Sequence, residues 1–402
     1  MFEDKLSVRA KTMKRSVIRE LLKLTTEPDI ISFGGGMPDP SLFPTQLIAD
    51  IVQEVLEKEG KKVLQYGLTE GDKEFRQQLA KRYGRTEGIK LTEENILITT
   101  ASQQGLDLVS KIFIDPDDIV IVGLPTYLGG LAAFNSYGAR LIGIPLDDNG
   151  MQVDVIKEHL KQLRRAQRRV KFIYVVPDFQ NPSGVTMSIE RRKKLIEIAE
   201  AYDILIFEDT PYRELRYSGE SIPSFFSLAP RGRVVSIFTF SKILFPGMRL
   251  GYIFGDKEII DKLVIAKQGT DLCSPAFTQA IVREIMKKDL LDGHIQKLIV
   301  RYRDKRECML AALERYMPHD REISWTRPEG GLFLWLKLPE HMDADEILQR
   351  ALKKKVAYIV GSAFYCDGSG KNTIRLNFSY PTFELIEKGI KRLGELVREE
   401  IK

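Results

Sequence analysis

The stretch VVSIFTFSKILFPGMRLGYIFG, from Val234 to Gly255, decides the fold class of this chain. Its apolar, β-prone first half ends on Ser241 and Lys242, and Arg249 follows seven residues after the lysine. An ammonium group at the tip of a buried strand is costly unless it is paired, neutralised or used in chemistry. The simpler interpretation is a lysine that reaches the surface where the strand ends. The rest of the chain has to decide between the two.

Short apolar runs of this kind recur along the chain and alternate with amphipathic helical patterns. Strands that are almost wholly apolar and separated by helices are typical of a mostly parallel sheet covered on both faces. We therefore predict an α/β fold with a seven-stranded, mostly parallel sheet, in which ligands bind beyond the carboxyl ends of the strands. The predicted strands are residues 95–100, 118–123, 140–146, 171–176, 203–209, 234–240 and 250–255.

The length and the order of the patterns predict more than one domain. At 402 residues the chain exceeds the size at which a single core usually stops growing. Beyond the predicted sheet, charged helical patterns mix with two strand-like runs, GGLFLWLKL and NTIRLNFS, as in an α+β domain. We predict an arm and loop over residues 1–45, a large domain over 46–290 and a smaller α+β domain over 291–402.

Composition argues against several classes of protein. Lys and Arg number 61 against 56 Asp and Glu, and a net charge of +5 over interspersed charges is too weak to predict nucleic-acid binding. Three scattered cysteines without a CxxC pair, and histidines without ligand spacing, predict neither a disulfide framework nor a metal site. No run approaches the roughly 20 apolar residues of a membrane helix. We predict a soluble, cytoplasmic protein with no membrane partner.

Polar side chains collect just beyond five of the predicted strands. Turn residues follow strands in any case, so each set alone is weak evidence. Together they form one set suited to a single ligand, because parallel strands end at the same edge of a sheet. The residues are Ser102 and Gln103, Tyr127, Asn181, Asp209 with Tyr212, and Ser241 with Lys242.

These groups describe the ligand by its chemistry. Amides at a helix amino terminus, the hydroxyls of Thr239 and Ser241 and the guanidinium of Arg249 suit a phosphate. A carboxylate such as that of Asp209 keeps a ring nitrogen protonated, and tyrosine and asparagine donate to a phenolate. A tyrosine ring can stack on an aromatic face, and a lysine of lowered pKa can form a Schiff base with an aldehyde. Phosphate, pyridine nitrogen, phenolate and aldehyde together describe pyridoxal 5′-phosphate.

The chain resembles the fold type I pyridoxal-phosphate enzymes of the class I/II aminotransferases, and within them the 2-aminoadipate and kynurenine (aromatic) aminotransferase group. The matching segments occur in the family's order over nearly the whole chain. The spacings of 28 residues from Asn181 to Asp209, three from Asp209 to Tyr212 and seven from Lys242 to Arg249 also match. The segments are ISFGGGMPDPSLFP, LQYGLTEG, TTASQQGLDL, PDFQNPSGVTM, EDTPYRELRY, FTFSKILFPGMRLGY, PEGGLFLWL and NTIRLNFS.

The resemblance implies a role for each residue at the cofactor. Lys242 would bond covalently to the cofactor aldehyde, and Asp209 would face the pyridine nitrogen. Asn181 and Tyr212 would bind the phenolate oxygen, and Tyr127 would stack on the ring. The phosphate would be held by Ser102, Gln103, Thr239, Ser241 and Arg249.

The resemblance also implies substrate and subunit contacts. Tyr66 would reach the phosphate of the neighbouring subunit's cofactor, which implies a homodimer. Arg375 would clamp the substrate α-carboxylate with help from Asn181 and Gly36, although pairing with a carboxylate of the chain is the alternative. Arg19, in the predicted helix 16–24, could receive a distal carboxylate or could lie on a solvated helix face.

The chain departs from the family pattern at Ala101, where many relatives have glycine, and at Thr210, where relatives often have aspartate. Neither position supplies a required side chain, so both changes should be tolerated.

The implied function is ping-pong transfer of an amino group from an L-amino acid to a 2-oxo acid such as 2-oxoglutarate. The donor would be glutamate, 2-aminoadipate, an aromatic amino acid or another member of a broad range. A β-lyase or a decarboxylase on the same fold is the alternative. A transcriptional regulator would need a DNA-binding module, and only about 30 residues precede the first cofactor-proximal loop. A non-enzymatic α/β binding protein would not explain Lys242.

Overall fold

A computed structural model of the chain describes residues 2–12, 29–229 and 232–401. Its largest sheet has eight strands in the order β2-β9-β8-β7-β6-β3-β4-β5. The strands are β2 (Ile96–Thr99), β3 (Ile119–Leu124), β4 (Arg140–Asp147), β5 (Gly150–Met151), β6 (Val170–Val175), β7 (Leu205–Asp209), β8 (Val234–Thr239) and β9 (Gly251–Phe254).

The pairing in this sheet confirms a mostly parallel α/β fold. Strands β4, β3, β6, β7 and β8 pair in parallel, and β9 runs antiparallel between β8 and β2. All seven predicted strands belong to this sheet. The eighth strand, β5, pairs for two residues with β4 across a tight turn. Two residues are too few to produce a recognisable alternation in the sequence, so the pattern did not predict this strand.

Both faces of the large sheet are covered by apolar side chains. Along β8, Val234 and Phe238 belong to one buried cluster, whereas Val235 and Ile237 belong to another. Successive side chains of a strand point to opposite faces, so the two clusters lie on opposite sides of the sheet. This double burial explains why the strands read as continuous apolar runs.

A second, antiparallel sheet lies in the carboxyl-terminal part of the chain, in the order β10-β11-β14-β13. It comprises β10 (Ser324–Trp325), β11 (Phe333–Lys337), β13 (Ile359–Val360) and β14 (Thr373–Asn377). The short β1 (Ile31–Ser32) pairs in parallel with β12 (Val356–Ala357). Because of this pairing, the loop after β1 is joined to the carboxyl-terminal part of the chain. The domain boundaries stay predictions.

Helices connect and cover these strands. They are α1 (Val8–Thr12), α2 (Thr45–Val63), α3 (Lys73–Glu87), α4 (Ala101–Phe113), α5 (Leu128–Ser136), α6 (Val153–Arg165), α7 (Ile189–Tyr202), α8 (Phe225–Leu228), α9 (Lys257–Gln268), α10 (Ala276–Lys287), α11 (Leu290–Tyr316), α12 (Ala344–Lys353) and α13 (Phe383–Glu400). Single 3₁₀ turns lie at Glu3–Lys5, Pro40–Leu42, Glu93–Asn95, Pro246–Met248 and Gly361–Phe364. The predicted helix 16–24 lies outside the described residues. Within them, no helix is long and apolar enough to cross a bilayer.

Candidate active site

The predicted cofactor residues lie where the central strands of the large sheet end. Asp209 is the last residue of β7, and Ser241 and Lys242 lie two and three residues beyond the end of β8. Asn181 lies in the loop after β6, and its side-chain amide donates to the hydroxyl of Tyr212 over 3.4 Å. Since β6, β7 and β8 are adjacent and parallel, their carboxyl ends share one edge of the sheet.

Asp209 is a buried carboxyl, one of whose oxygens has no hydrogen-bond partner among the described residues. Only 2% of the residue is exposed, and its Oδ2 accepts a hydrogen bond from the hydroxyl of Tyr174 at 2.7 Å. Its Oδ1 is buried and has no partner among the described residues. Burial raises the pKa of Asp209 to about 7; the Tyr174 hydrogen bond lowers it and the charge of Glu208 raises it. The free oxygen is suited to a donor or cation supplied by a ligand.

Lys242 is held by a carbonyl rather than by a carboxylate. Its Nζ donates to the backbone oxygen of Gly36 at 2.8 Å. Burial lowers the pKa of Lys242 to about 8, and the charges of Arg375 and Arg249 act in the same direction. No ion pair within the described chain includes this amine. A large fraction of the amine is therefore neutral near pH 8, the form that can act as a nucleophile or base.

Arg375 presents a guanidinium without a carboxylate partner in the described part of the chain. Its Nη1 donates to Asn181 Oδ1 at 2.9 Å and its Nη2 to the Gly34 carbonyl at 2.6 Å, while its Nε is buried and unpartnered. The guanidinium carbon lies 4.3 Å and 5.0 Å from the ring centroids of Phe333 and Phe364. Burial lowers the pKa of Arg375 to about 10. The alternative that Arg375 pairs with a carboxylate of the chain is not borne out among the described residues.

Hydroxyl and amide groups gather beyond β8. Thr239 Oγ1 donates to Ser241 Oγ at 2.9 Å and accepts from the Ser241 amide at 3.2 Å. Gly251 of β9 lies against the first turn of α4, where an added Cβ would come within 3.0 Å of the Ser102 amide nitrogen. A glycine at this place lets the amino terminus of α4 approach the strand ends closely. Arg249 is exposed, with a left-handed φ of +49°.

Tyr127, at the amino terminus of α5, is linked to Gln103 of α4. Its hydroxyl donates to Gln103 Oε1 over 3.5 Å, and Gln103 Nε2 donates to the Gly129 carbonyl at 3.0 Å. A Cβ at Gly129 would lie 2.5 Å from the Tyr127 ring, so glycine there leaves the ring its space. Gly36 likewise leaves space for the ring of Phe333, because a Cβ added at Gly36 would lie 3.3 Å from that ring.

One predicted site residue, Tyr66, is not brought into this group. Tyr66, between α2 and α3, is 80% exposed, and Leu64 and Leu68 beside it are exposed as well. These three side chains form an exposed apolar segment. Arg19 lies outside the described residues.

Three contributors to the site were missed by sequence reasoning. Tyr174 lies inside the apolar run KFIYVV, whose pattern indicates a strand and no functional role for the tyrosine. A phenol in a doubly covered strand needs a buried acceptor, and that requirement was the available signal. The aromatic rings of Phe333 and Phe364 also escaped notice, because nothing in the sequence shows that they flank Arg375.

The residues present fit pyridoxal 5′-phosphate. The unpartnered Oδ1 of Asp209 matches a protonated ring nitrogen, and the amine of Lys242 matches an aldehyde. The hydroxyls of Thr239 and Ser241 beside the amino terminus of α4 match a phosphate.

Comparison with known families and proteins gives consistent matches. The chain matches the family "Aminotransferase class I and II" over residues 29–393. It is 47% identical over 401 residues to aromatic-amino-acid aminotransferase 1 of Thermococcus litoralis, covering 100% of this chain and 96% of that protein.

Solved structures agree in fold. The crystal structure of Pyrococcus horikoshii kynurenine aminotransferase, in complex with PMP and with KYN and KYA, has a TM-score of 0.96 and 47% identity, covering 100% of this chain and 98% of that one. The α-aminoadipate aminotransferase of Thermus thermophilus, complexed with N-(5′-phosphopyridoxyl)-L-leucine, has a TM-score of 0.92 and 35% identity, covering 100% of this chain and 99% of that one.

Proposed function

The chain belongs to the class I and II aminotransferases and is a pyridoxal-phosphate-dependent enzyme of that family, and on this premise we propose its substrates and the residues that serve them. The proposed reaction is ping-pong transfer of an amino group from an L-amino acid to a 2-oxo acid such as 2-oxoglutarate. One observation carries the proposal: Lys242, Asp209 and Arg375 are three ionisable groups with no opposite charge paired to them in the described chain. Asp209 and Lys242 lie at neighbouring strand ends, and Arg375 is hydrogen-bonded to Asn181 in the loop after the next strand.

Bound pyridoxal phosphate supplies an electron sink for the charge that remains on the α-carbon when its proton leaves. Lys242 would hold the cofactor through its aldehyde carbon, and its amine, when free, would accept the α-proton of the donor and deliver it to that aldehyde carbon. The low pKa of Lys242 matters here, because a neutral amine is the competent base. Ionised Asp209 keeps a proton on the ring nitrogen.

Arg375 binds the α-carboxylate that every donor and acceptor shares. A guanidinium fork binds a carboxylate through two parallel hydrogen bonds, which a lysine cannot do. The rings of Phe333 and Phe364 fix the plane of the fork. Asn181 accepts a hydrogen bond from the same guanidinium. Gly36 lies against the ring of Phe333, which stacks on Arg375.

The remaining residues hold the cofactor. Asn181 and Tyr212 donate to the phenolate oxygen, and Tyr127 stacks on the ring. The proposed phosphate ligands are Ser102, Gln103, Thr239, Ser241 and Arg249.

We also propose a homodimer in which Tyr66 completes the phosphate site of the partner. The exposed apolar segment around Tyr66 supports an interface at this place. Mixing two inactive variants, Lys242→Ala and Tyr66→Ala, tests it. Only if Tyr66 acts across the interface does the mixed dimer contain one intact site, so activity should reappear after subunit exchange. No recovery in a confirmed mixed dimer would contradict this role.

Broad donor use is proposed because relatives are named for aromatic amino acids, kynurenine and α-aminoadipate. Arg19 stays a candidate for the distal carboxylate of acidic donors. Loss of kcat/KM for glutamate but not for phenylalanine in Arg19→Ala would support that role, whereas equal losses would contradict it. A cytoplasmic location stays a prediction.

The central test is chemical. After reconstitution with pyridoxal phosphate, borohydride should fix the cofactor on the peptide that carries Lys242. In a separate sample that has not been reduced, an L-amino acid alone should convert the cofactor to its amine form, and 2-oxoglutarate should restore it. Release of ammonia or carbon dioxide in place of this exchange would identify a lyase or a decarboxylase.

A further inference from the structure

Tyr174 is the one described side chain that hydrogen-bonds to Asp209. It lies in β6, the strand next to β7, and its ring is fully buried. Its hydroxyl donates to Asp209 Oδ2 at 2.7 Å. The phenol therefore reaches the carboxyl from within the sheet and leaves Oδ1 as the free oxygen.

Space for this phenol is built into the neighbouring helix. Gly130, in α5, faces the Tyr174 ring, and a Cβ added there would lie 3.0 Å from a ring carbon and 3.3 Å from the hydroxyl oxygen. Alanine has the higher helix propensity, so a glycine in the first turn of α5 is unfavourable unless the space is needed. The ring is further fixed by an edge contact with Phe134 and a tilted contact with Phe207.

The other ionisable groups around the pair do not hold Asp209 in its charged form. Glu208, the preceding residue, points to the opposite face, where it accepts from the Phe225 amide and from Ser236. Its charge raises the pKa of Asp209. Tyr127 and Tyr212 are the other ionisable side chains that influence Tyr174. No described cation forms an ion pair with Asp209.

We propose that Tyr174 is a positioning residue, which keeps Asp209 ionised and turns its free oxygen toward the cofactor ring nitrogen. A hydrogen bond donated to the charged form of an acid favours that form, and Tyr174 is the donor available within the described chain. The proposal rests on the proposed function, because it concerns the residue that protonates the cofactor ring.

The first test uses the protein without cofactor and compares Tyr174→Phe with Tyr358→Phe. Tyr358 is an equally buried phenol, and it donates to the neutral Ala344 carbonyl at 2.8 Å. Both changes remove one buried hydroxyl. We expect the destabilisation by Tyr174→Phe to grow between pH 5 and pH 8, because ionised Asp209 then lacks its donor. The destabilisation by Tyr358→Phe should not change with pH.

The second test uses the loaded enzyme and cofactor labelled with ¹⁵N in the ring. In Tyr174→Phe we expect the nitrogen resonance to move toward the unprotonated position. The limb of the kcat profile on the acidic side should move up by about one pH unit, with a loss of about fivefold in kcat at pH 7 and KM nearly unchanged. Gly130→Ala, which crowds the phenol without removing it, should cause smaller changes of the same sign.

Equal, pH-independent destabilisation by both phenylalanine variants, or an unchanged nitrogen resonance, would overturn the role of Tyr174. Should Tyr174→Phe fail to fold, an unchanged resonance and pH profile in Gly130→Ala would overturn it as well. Failure of the proposed function looks different, because the unmodified enzyme would then either not form the borohydride adduct at Lys242 or not convert its cofactor to the amine form.

Discussion

Two aspartates in this molecule are equally buried and carry opposite pKa shifts. Asp178, in the loop after β6, and Asp209, at the end of β7, are each 2% exposed. Although burial alone would raise it, the pKa of Asp178 is lowered to about 2, because Arg192 and Arg213 donate to its two oxygens at 2.7 and 2.9 Å. Burial instead raises the pKa of Asp209 to about 7, against the single hydrogen bond from Tyr174.

The difference distinguishes the charges around Asp178, which pair with one another and stabilise the fold, from those of Asp209, Lys242 and Arg375, which are suited to binding a ligand. Around Asp178 each charge meets an opposite one, since Arg213 also pairs with Glu87. Asp209, Lys242 and Arg375 have no such pairs in the described chain. Buried ionisable groups of this kind are costly and mark functional sites. A ring nitrogen, an aldehyde and a carboxylate would each relieve one of the three.

The largest predicted effect is on the paired aspartate. Asp178→Asn leaves two largely buried guanidinium groups without their shared carboxylate, so we expect a loss of about 3–5 kcal/mol in the free energy of unfolding. Urea unfolding at pH 7 measures it. As a control, Asp154→Asn breaks the exposed pair with Lys194 and should cost less than about 1 kcal/mol. Similar losses in the free energy of unfolding for the two variants would show that the buried pairing of Asp178 contributes no more than an exposed pair.

The stabilisation from Asp178 also has a definite pH range. Because the folded pKa is lowered, the stabilisation is present above the ordinary pKa near 3.8 and is lost as pH falls toward about 2. The gap between wild type and Asp178→Asn should therefore narrow by about 2 kcal/mol in that range. A gap that stays constant down to pH 2 would contradict the charge pairing.

The unpaired aspartate should respond with the opposite sign. The folded pKa of Asp209 is raised, so the protonated carboxyl contributes stability to the fold. This contribution is fully present below about pH 3.8 and is lost as pH rises toward about 7. We expect Asp209→Asn to stabilise the cofactor-free protein at pH 8 by at most about 4 kcal/mol, and to lower kcat at least about a hundredfold. Destabilisation at pH 8 would show that Asp209 has a structural partner.

Lys242 gives a smaller effect over a different pH range. Its folded pKa is depressed, so burying the charged amine destabilises the fold fully below about pH 8, and the penalty disappears as pH rises toward 10.5. We expect Lys242→Met to stabilise the cofactor-free protein at pH 7 by at most about 3 kcal/mol, with little difference at pH 10.5. Unfolding curves at the two pH values measure it, and a pH-independent difference would contradict the expectation.

The sequence could predict the parts of the site that are local in the chain. The strands near Asp209 and Lys242 are predictable because doubly covered strands form continuous apolar runs, and the functional residue lies at the strand end or within three residues of it. Contacts set by tertiary packing could not be found in this way. Tyr174 meets Asp209 only because β6 pairs with β7, and Phe333 stacks on Arg375 only because β11 pairs with β14. The two-residue pairing of β1 with β12 is equally invisible in the sequence.

The smallest effect concerns the unpaired arginine. Arg375→Lys keeps the charge but loses the planar fork between two aromatic rings. We expect kcat/KM to fall roughly thirtyfold, which corresponds to a loss of about 2 kcal/mol in transition-state stabilisation. The loss should appear mainly in KM and should be equal for acidic and aromatic donors, because the α-carboxylate is common to all of them.

A matched change shows whether the loss is specific. Arg216 also stacks on a ring, that of Phe179 at 4.8 Å, but it pairs with Glu329 at 2.6 Å. Arg216→Lys should therefore leave kcat/KM within about twofold of wild type, since that guanidinium already has its carboxylate. Equal losses in the two variants, or a loss in Arg375→Lys confined to one class of donor, would show that Arg375 does not bind the α-carboxylate. The contrast between paired and unpaired buried charges would then no longer locate the substrate.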